Sequence, residues 1–204
     1  MKKMKIFIYI FTITLILNSC VIGKTGIYDI ELENVEKNEK NENGKINIIN
    51  LKQENYKNYS YDDNNIRIIW SPLSSQFDFI LQNKTNYTIK ILWDDVVFVD
   101  NNICYKVIHS NVKYIDKTNH QLPTVIIKNT NIEDLIIPIK NIYFDTKWKI
   151  KPFFPNIAFN DNELNILVNK YIGKEIKIYL PLKIQNNIKE YIFIFKVKQF
   201  IEKN

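Results

Sequence analysis

Lys174-Glu175-Ile176-Lys177-Ile178-Tyr179-Leu180-Pro181-Leu182-Lys183-Ile184 is followed, past Gln185-Asn186-Asn187, by Tyr191-Ile192-Phe193-Ile194-Phe195-Lys196-Val197-Lys198. Side chains of an extended chain point alternately to opposite faces. Ile176, Ile178, Leu180 and Leu182 therefore share one face of the first segment, and Tyr191, Phe193, Phe195 and Val197 one face of the second. Period-two alternation of β-branched and aromatic residues across a polar turn predicts a long β-hairpin with a continuous apolar face. Pro181 has no amide hydrogen to give to a ladder, which predicts an edge strand or a bulge.

Just before this hairpin, Leu164, Leu167, Val168, Tyr171 and Ile172 recur at spacings of three and four. Asn160 or Asp161 can cap a helix there, and Gly173 stands where helices commonly stop. Upstream the strand pattern returns in short runs. Ile66–Trp70 ends at Ser71-Pro72, and Phe77, Phe79 and Leu81 alternate up to a turn at 83–86. Tyr87, Ile89, Ile91 and Trp93 alternate next. Val96–Val99 and Ile103–Val107 flank a turn at Asp100-Asn101-Asn102, and Val125–Lys128, Leu135–Ile139 and Trp148–Lys151 complete the series. Seven to nine strands at intervals of about ten residues predict a mainly β domain over 66–204. The expected form is an antiparallel two-sheet sandwich, immunoglobulin-like in the loose sense, with one short helix before the C-terminal hairpin. A partly open barrel is the alternative.

The N-terminus reads differently. Lys2, Lys3 and Lys5 precede twelve residues, Ile6 to Leu17, whose only polar members are two threonines. A basic segment before 7–15 apolar residues has the form of a secretory signal, and twelve is short for a membrane-spanning helix. The run ends in Leu17-Asn18-Ser19-Cys20, which resembles the bacterial lipobox: Leu three residues before Cys, and a small residue immediately before it. The resemblance implies diacylglycerol on Cys20 through a thioether, cleavage after Ser19, and acylation of the new amine. Two or more acyl chains give stable anchoring where one is marginal.

Between Cys20 and residue 65 the chain is polar, and Glu36 to Lys45 holds no apolar residue. Such composition predicts a largely flexible tether, about 35–40 Å in root-mean-square span. Ile27–Leu32 and Ile46–Leu51 alternate and are candidates to dock as edge strands.

The stretch from Ile69-Trp70-Ser71-Pro72 through Asn83-Lys84-Thr85, Ile89–Asp94 and Phe98-Val99-Asp100 to His109–Tyr114 resembles a group of uncharacterised bacterial lipoproteins carrying one β-sandwich domain. The resemblance implies the fold class and an envelope location, and carries over no catalytic or ligand-binding residue.

The chain has 204 residues and a formal charge of +6, which falls by three without Lys2, Lys3 and Lys5. Arg67 is the only arginine among 28 basic residues, although arginine is the side chain suited to bidentate phosphate recognition. Nucleic-acid binding is not expected. Four glycines and two histidines leave no phosphate-cradling loop and no nucleophile elbow. With Cys20 acylated, Cys104 has no disulfide partner and is expected to be a small buried hydrophobe.

No catalytic residue, metal or cofactor is assigned. The expected role is non-enzymatic: a binding or structural module of the cell envelope, lipid-anchored and extracytoplasmic at the cell or outer membrane, with an envelope protein as possible partner. Trp148, Phe153 and Phe154 lie among Pro152 and Pro155 ahead of the helix. They form a candidate partner contact, because exposed aromatic clusters mark binding surfaces; the bland reading is that they plug one end of the domain beneath the helix. A metal-dependent ligand binder or enzyme using His109 and the Asp94/Asp95/Asp100 group is the alternative.

Overall fold

The computed structural model describes residues 24–38, 44–49, 57–155, 157–158 and 160–203. The signal segment, Cys20 and Phe159 lie outside them. The molecule is mainly β, with antiparallel strands and, among the described residues, one α-helix. The strands are β1 (Lys24–Lys37), β2 (Lys45–Ile49), β3 (Asn58–Asp62), β4 (Ile66–Pro72), β5 (Phe77–Asn83), β6 (Ile89–Ile91), β7 (Val97–Asp100), β8 (Ile103–Ile108), β9 (Thr124–Ile126) and β10 (Asn131–Pro138). After them come β11 (Ile142–Asp145), β12 (Lys147–Ile150), β13 (Ile157–Ala158), the helix α1 (Asp161–Tyr171), β14 (Glu175–Ile184) and β15 (Asn187–Lys203).

Thirteen of these strands form one sheet: eleven follow the hydrogen-bonded path β13-β1-β15-β14-β7-β8-β10-β5-β4-β3-β2, β6 branches from β14, and β9 pairs with β6. Instead of two separate sheets, the chain makes one nearly closed, barrel-like sheet, so the partly open barrel describes it better. The reason lies in β8 and β10. Their ladder of Ile137 with Ile108 and Pro138 with Val107 joins what would otherwise be two layers. The walls face each other across an aromatic core: Trp70 of β4 lies 5.0 Å from Phe193 and 5.6 Å from Phe195, and Phe77 of β5 lies 4.7 Å from Phe195. All four rings are fully buried.

The tether expected over 20–65 is largely taken up by the sheet. β1 pairs with β15 along almost its whole length, from Thr25 opposite Lys203 to Lys37 opposite Tyr191, with two register shifts that bend it. Tyr28, Ile30 and Leu32 face the core, while the polar character comes from the opposite face. There Asp29 and Glu31 meet Lys57, at 2.7 and 2.9 Å, and Glu33 meets Lys198 and Lys196. Gly26 is required by close approach, since a Cβ there would run into the Phe200 ring and the Ile201 carbonyl.

The sheet path ends at β13 and β1 on one side and at β2 on the other, and side chains tie β1 to β3 near this opening. Lys57 ties the start of β3 to β1, and Lys37 at the end of β1 reaches Asp63 in the β3–β4 turn at 3.1 Å. Asp63 also accepts from the Tyr61 and Tyr191 hydroxyls, both at 3.1 Å, and from the Asn65 and Ile66 amides at 2.8 and 2.9 Å. Burial alone would raise its pKa, but the Ile66 and Asn65 amides and Lys37 together hold it below the ordinary carboxylate value. Burial, reinforced by the charge of Asp63, pushes the Tyr191 hydroxyl upward, so Tyr191 stays a donor.

Pro181 sits in a central strand and not on an edge. β14 has β15 on one side, while its other neighbour changes from β7 (up to Tyr179) to β6 (from Leu182). Pro181 falls at that change of partner, where a 3-10 turn over Trp93–Asp95 separates β6 from β7 and the Leu92 amide donates to the Pro181 carbonyl. The missing amide hydrogen is tolerated because no neighbour asks for it there. α1 begins as expected, with the Asn160 side chain accepting from the Glu163 amide at 2.9 Å, and the chain leaves it through Gly173 at φ +84°.

Cys104 is exposed, against expectation. On β8 the core-facing positions are Tyr105 and Val107, and the pleat turns Cys104 away from them. A thiol reagent should therefore label Cys104 in the native protein as fast as in urea. Labelling that appears only on unfolding would contradict this placement.

Candidate contact surface

β11 and β12 stand apart from the barrel as a two-stranded sheet. Ile142 pairs with Ile150, Tyr143 with Lys149, Phe144 with Trp148 and Asp145 with Lys147, across a turn in which Thr146 takes φ +56°. Paired residues of an antiparallel ladder lie on the same face. One face therefore carries Ile142, Phe144, Trp148 and Ile150, and the other Tyr143, Asp145, Lys147 and Lys149. The base of the apolar face is anchored: Ile142 is buried with Ile108 and Ile137, and Ile150, Val112 and Tyr114 pack around them. The tip is not. Phe144 is 63% exposed, Trp148 36% and, on the other face, Tyr143 44%.

Trp148 is steadied from the side. Phe144 meets it edge-on at 5.4 Å and Tyr114 at 6.3 Å, and the Lys117 ammonium stands 5.9 Å from its ring centre. Lys117 donates to the carbonyls of Ile139 and Ile142, which fixes it at the hairpin base. Beside Tyr114, Ile115 is 71% exposed. The result is an apolar ridge of Phe144 and Trp148, with Ile115 nearby, edged by Lys147 and Lys149; Lys149 also pairs with Asp145.

Of the three aromatic residues expected at a partner contact, only Trp148 lies in this ridge. The Phe153 amide donates to the Ser74 carbonyl, and its ring stacks 5.3 Å from Phe98. Phe154 is buried, between Tyr28 at 5.3 Å and Tyr171 of α1 at 5.0 Å. These rings fill one end of the barrel, Phe153 against Phe77 and Phe98 and Phe154 beneath the helix at Tyr171. Tyr143 and Phe144 were overlooked, although Ile142-Tyr143-Phe144 ahead of Asp145-Thr146 carries the signal of a strand and a turn.

The residues of the alternative reading are dispersed. His109 is buried, stacked on Trp93 at 4.2 Å and hydrogen-bonded through Nδ1 to Asp134 at 3.2 Å. Asp134 also accepts from the Ser110 and Leu135 amides; these and His109 overcome the effect of burial and hold its pKa low. Asp94 accepts from the Gln121 amide and pairs with His120, Asp100 pairs with Lys140 at 2.6 Å, and Asp95 is exposed. Among the described residues, no three His, Cys, Asp or Glu side chains converge on a possible metal position. The Asp134–His109–Trp93 stack braces β8 and β10 where their ladder is short.

No family model, curated protein or solved structure matches this chain. Among the described residues, no helix is long and apolar enough to cross a membrane.

Proposed function

We propose that the chain is a membrane-anchored bacterial lipoprotein whose β domain is a non-enzymatic binding or structural module of the envelope. The observation that carries the reading is Leu17-Asn18-Ser19-Cys20 at the end of a basic and then apolar segment. Cys20 bears the lipid, and the domain faces the extracytoplasmic side. The exposed hairpin tip supports a contact role, since a ridge of exposed aromatic rings costs solubility unless something covers it. Metabolic labelling with palmitate tests the anchor: label should enter the wild type and be lost in Cys20→Ala. Equal labelling of the two would sink the reading. An envelope protein partner should appear on cross-linking in intact cells and disappear with Cys20→Ala.

A further inference from the structure

We infer that the β11–β12 hairpin is a second membrane contact, with Phe144 and Trp148 set into the headgroup region of an anionic lipid surface. The inference rests on the lipid-anchor reading and adds to it a site and a ligand class. Three features of the molecule carry it.

The first is the length of chain between anchor and fold. β1 starts at Lys24, four residues past Cys20. Fully extended, four residues reach about 14 Å. A lipid on Cys20 therefore keeps the start of β1 within about 14 Å of the anchored residue, close enough for the domain surface to meet the headgroups.

The second is continuity. β12 leads through Lys151–Phe154 to β13, and β13 pairs with Lys24 and Thr25, the first residues of β1. Phe154 locks that connection into the core against Tyr28 of β1. Two contacts thus tie the segment after the hairpin to the start of β1: Phe154 against Tyr28, and β13 against Lys24 and Thr25.

The third is chemistry. Tryptophan and tyrosine favour the membrane interface because their rings are apolar and their edges polar. Trp148 and, on the opposite face, Tyr143 are of this kind, and Phe144 adds a purely apolar ring beside Trp148. Lys147 and Lys149 at the tip, with Lys113 and Lys117 on the adjoining segment, complement an anionic headgroup layer; Asp145 and Asp116 are the acidic residues among them. Neighbouring basic residues strengthen such attachment, and salt weakens it.

Trp148 reports on its own position, because Trp70 and Trp93 are buried in the barrel. The full chain, extracted from membranes and its lipid verified by mass, is reconstituted into vesicles of phosphatidylcholine and phosphatidylglycerol brominated on their acyl chains. Wild-type fluorescence should be quenched, and Trp148→Phe should lose that quenching. Lys147→Gln with Lys149→Gln should weaken it, as should vesicles of phosphatidylcholine alone. Equal quenching of wild type and Trp148→Phe, in lipidated chains that float with the vesicles, would overturn the hairpin contact and leave the anchor standing. Cross-linking of position 144 to a protein or to a second copy in place of lipid would also overturn it. A chain that carries no lipid and does not float would overturn the anchor, and this placement with it.

Discussion

Asp63→Ala should cost about 3–5 kcal/mol of folding stability, the usual penalty for removing one member of a buried ion pair. The carboxylate is fully buried and gathers five donors from three parts of the chain: Lys37 from β1, Tyr191 from β15, and Tyr61, Asn65 and Ile66 around the β3–β4 turn. Its loss strands donors in a place without water and loosens the side-chain tie from β1 to the β3–β4 turn. Asp63→Asn should be nearly as damaging, because an amide nitrogen would replace one of the oxygens that accept from these donors. Folding holds the pKa of Asp63 below its unfolded value, near 4. The stability from this shift is present in full above about pH 4 and is lost as pH falls towards the folded value. Asp134 works in the same direction. Urea unfolding at neutral and acid pH should show the wild type weakening below about pH 4, with a smaller acid loss in Asp63→Ala. Equal acid losses in the two proteins would remove Asp63 from the account of acid sensitivity.

Trp70→Ala should cost a similar amount, about 3–5 kcal/mol, through a different mechanism. Its ring has no exposed surface and touches both walls of the barrel: Phe79 at 5.1 Å on its own side, Phe193 and Phe195 at 5.0 and 5.6 Å on the other. Truncation removes buried apolar area and leaves a cavity where the walls meet, so surrounding rings cannot all move in at once. For a protein of this size the melting temperature should fall by about 10–15 °C. Ile48→Ala on β2 is the control. Ile48 is 61% exposed, and its truncation should stay within about 0.5 kcal/mol. Comparable losses at both positions would mean that the aromatic core does not carry the stability assigned to it.

The parts of the fold legible in the sequence are those where one local rule dominates. Alternation in 174–198 marks the core faces of β14 and β15, and spacing with a cap marks α1, whose Asn160 bond forms as read. β1 was hidden because six of its fourteen residues are charged. Its acids look like solvated tether residues until the lysines that meet them, far away in sequence, are placed beside them. Closure of the barrel was hidden for a similar reason: it hangs on a two-residue ladder between β8 and β10 and on Lys37 reaching Asp63, and no local pattern encodes such pairings. Pro181 misled because the rule against central prolines assumes a continuous neighbour on both sides, and β14 changes neighbour at that point.

The contact surface was half legible. Aromatic density drew attention to 148–154, but composition does not distinguish rings that fill a barrel end from rings that face outward. Burial separates them: Phe154 inside, Trp148 at the tip beside Phe144. His109 was readable as a residue but not as a pair, since Asp134 lies 25 positions away and meets it only through the packing of β8 against β10.

Intact mass of the protein extracted from bacterial membranes tests the central claim most directly. The account predicts a chain beginning at Cys20, heavier than the polypeptide from Cys20 to Asn204 by a diacylglyceryl group and an amine-linked acyl chain. A membrane-extracted protein that retains Met1, or that begins at Cys20 with no added lipid, would contradict it.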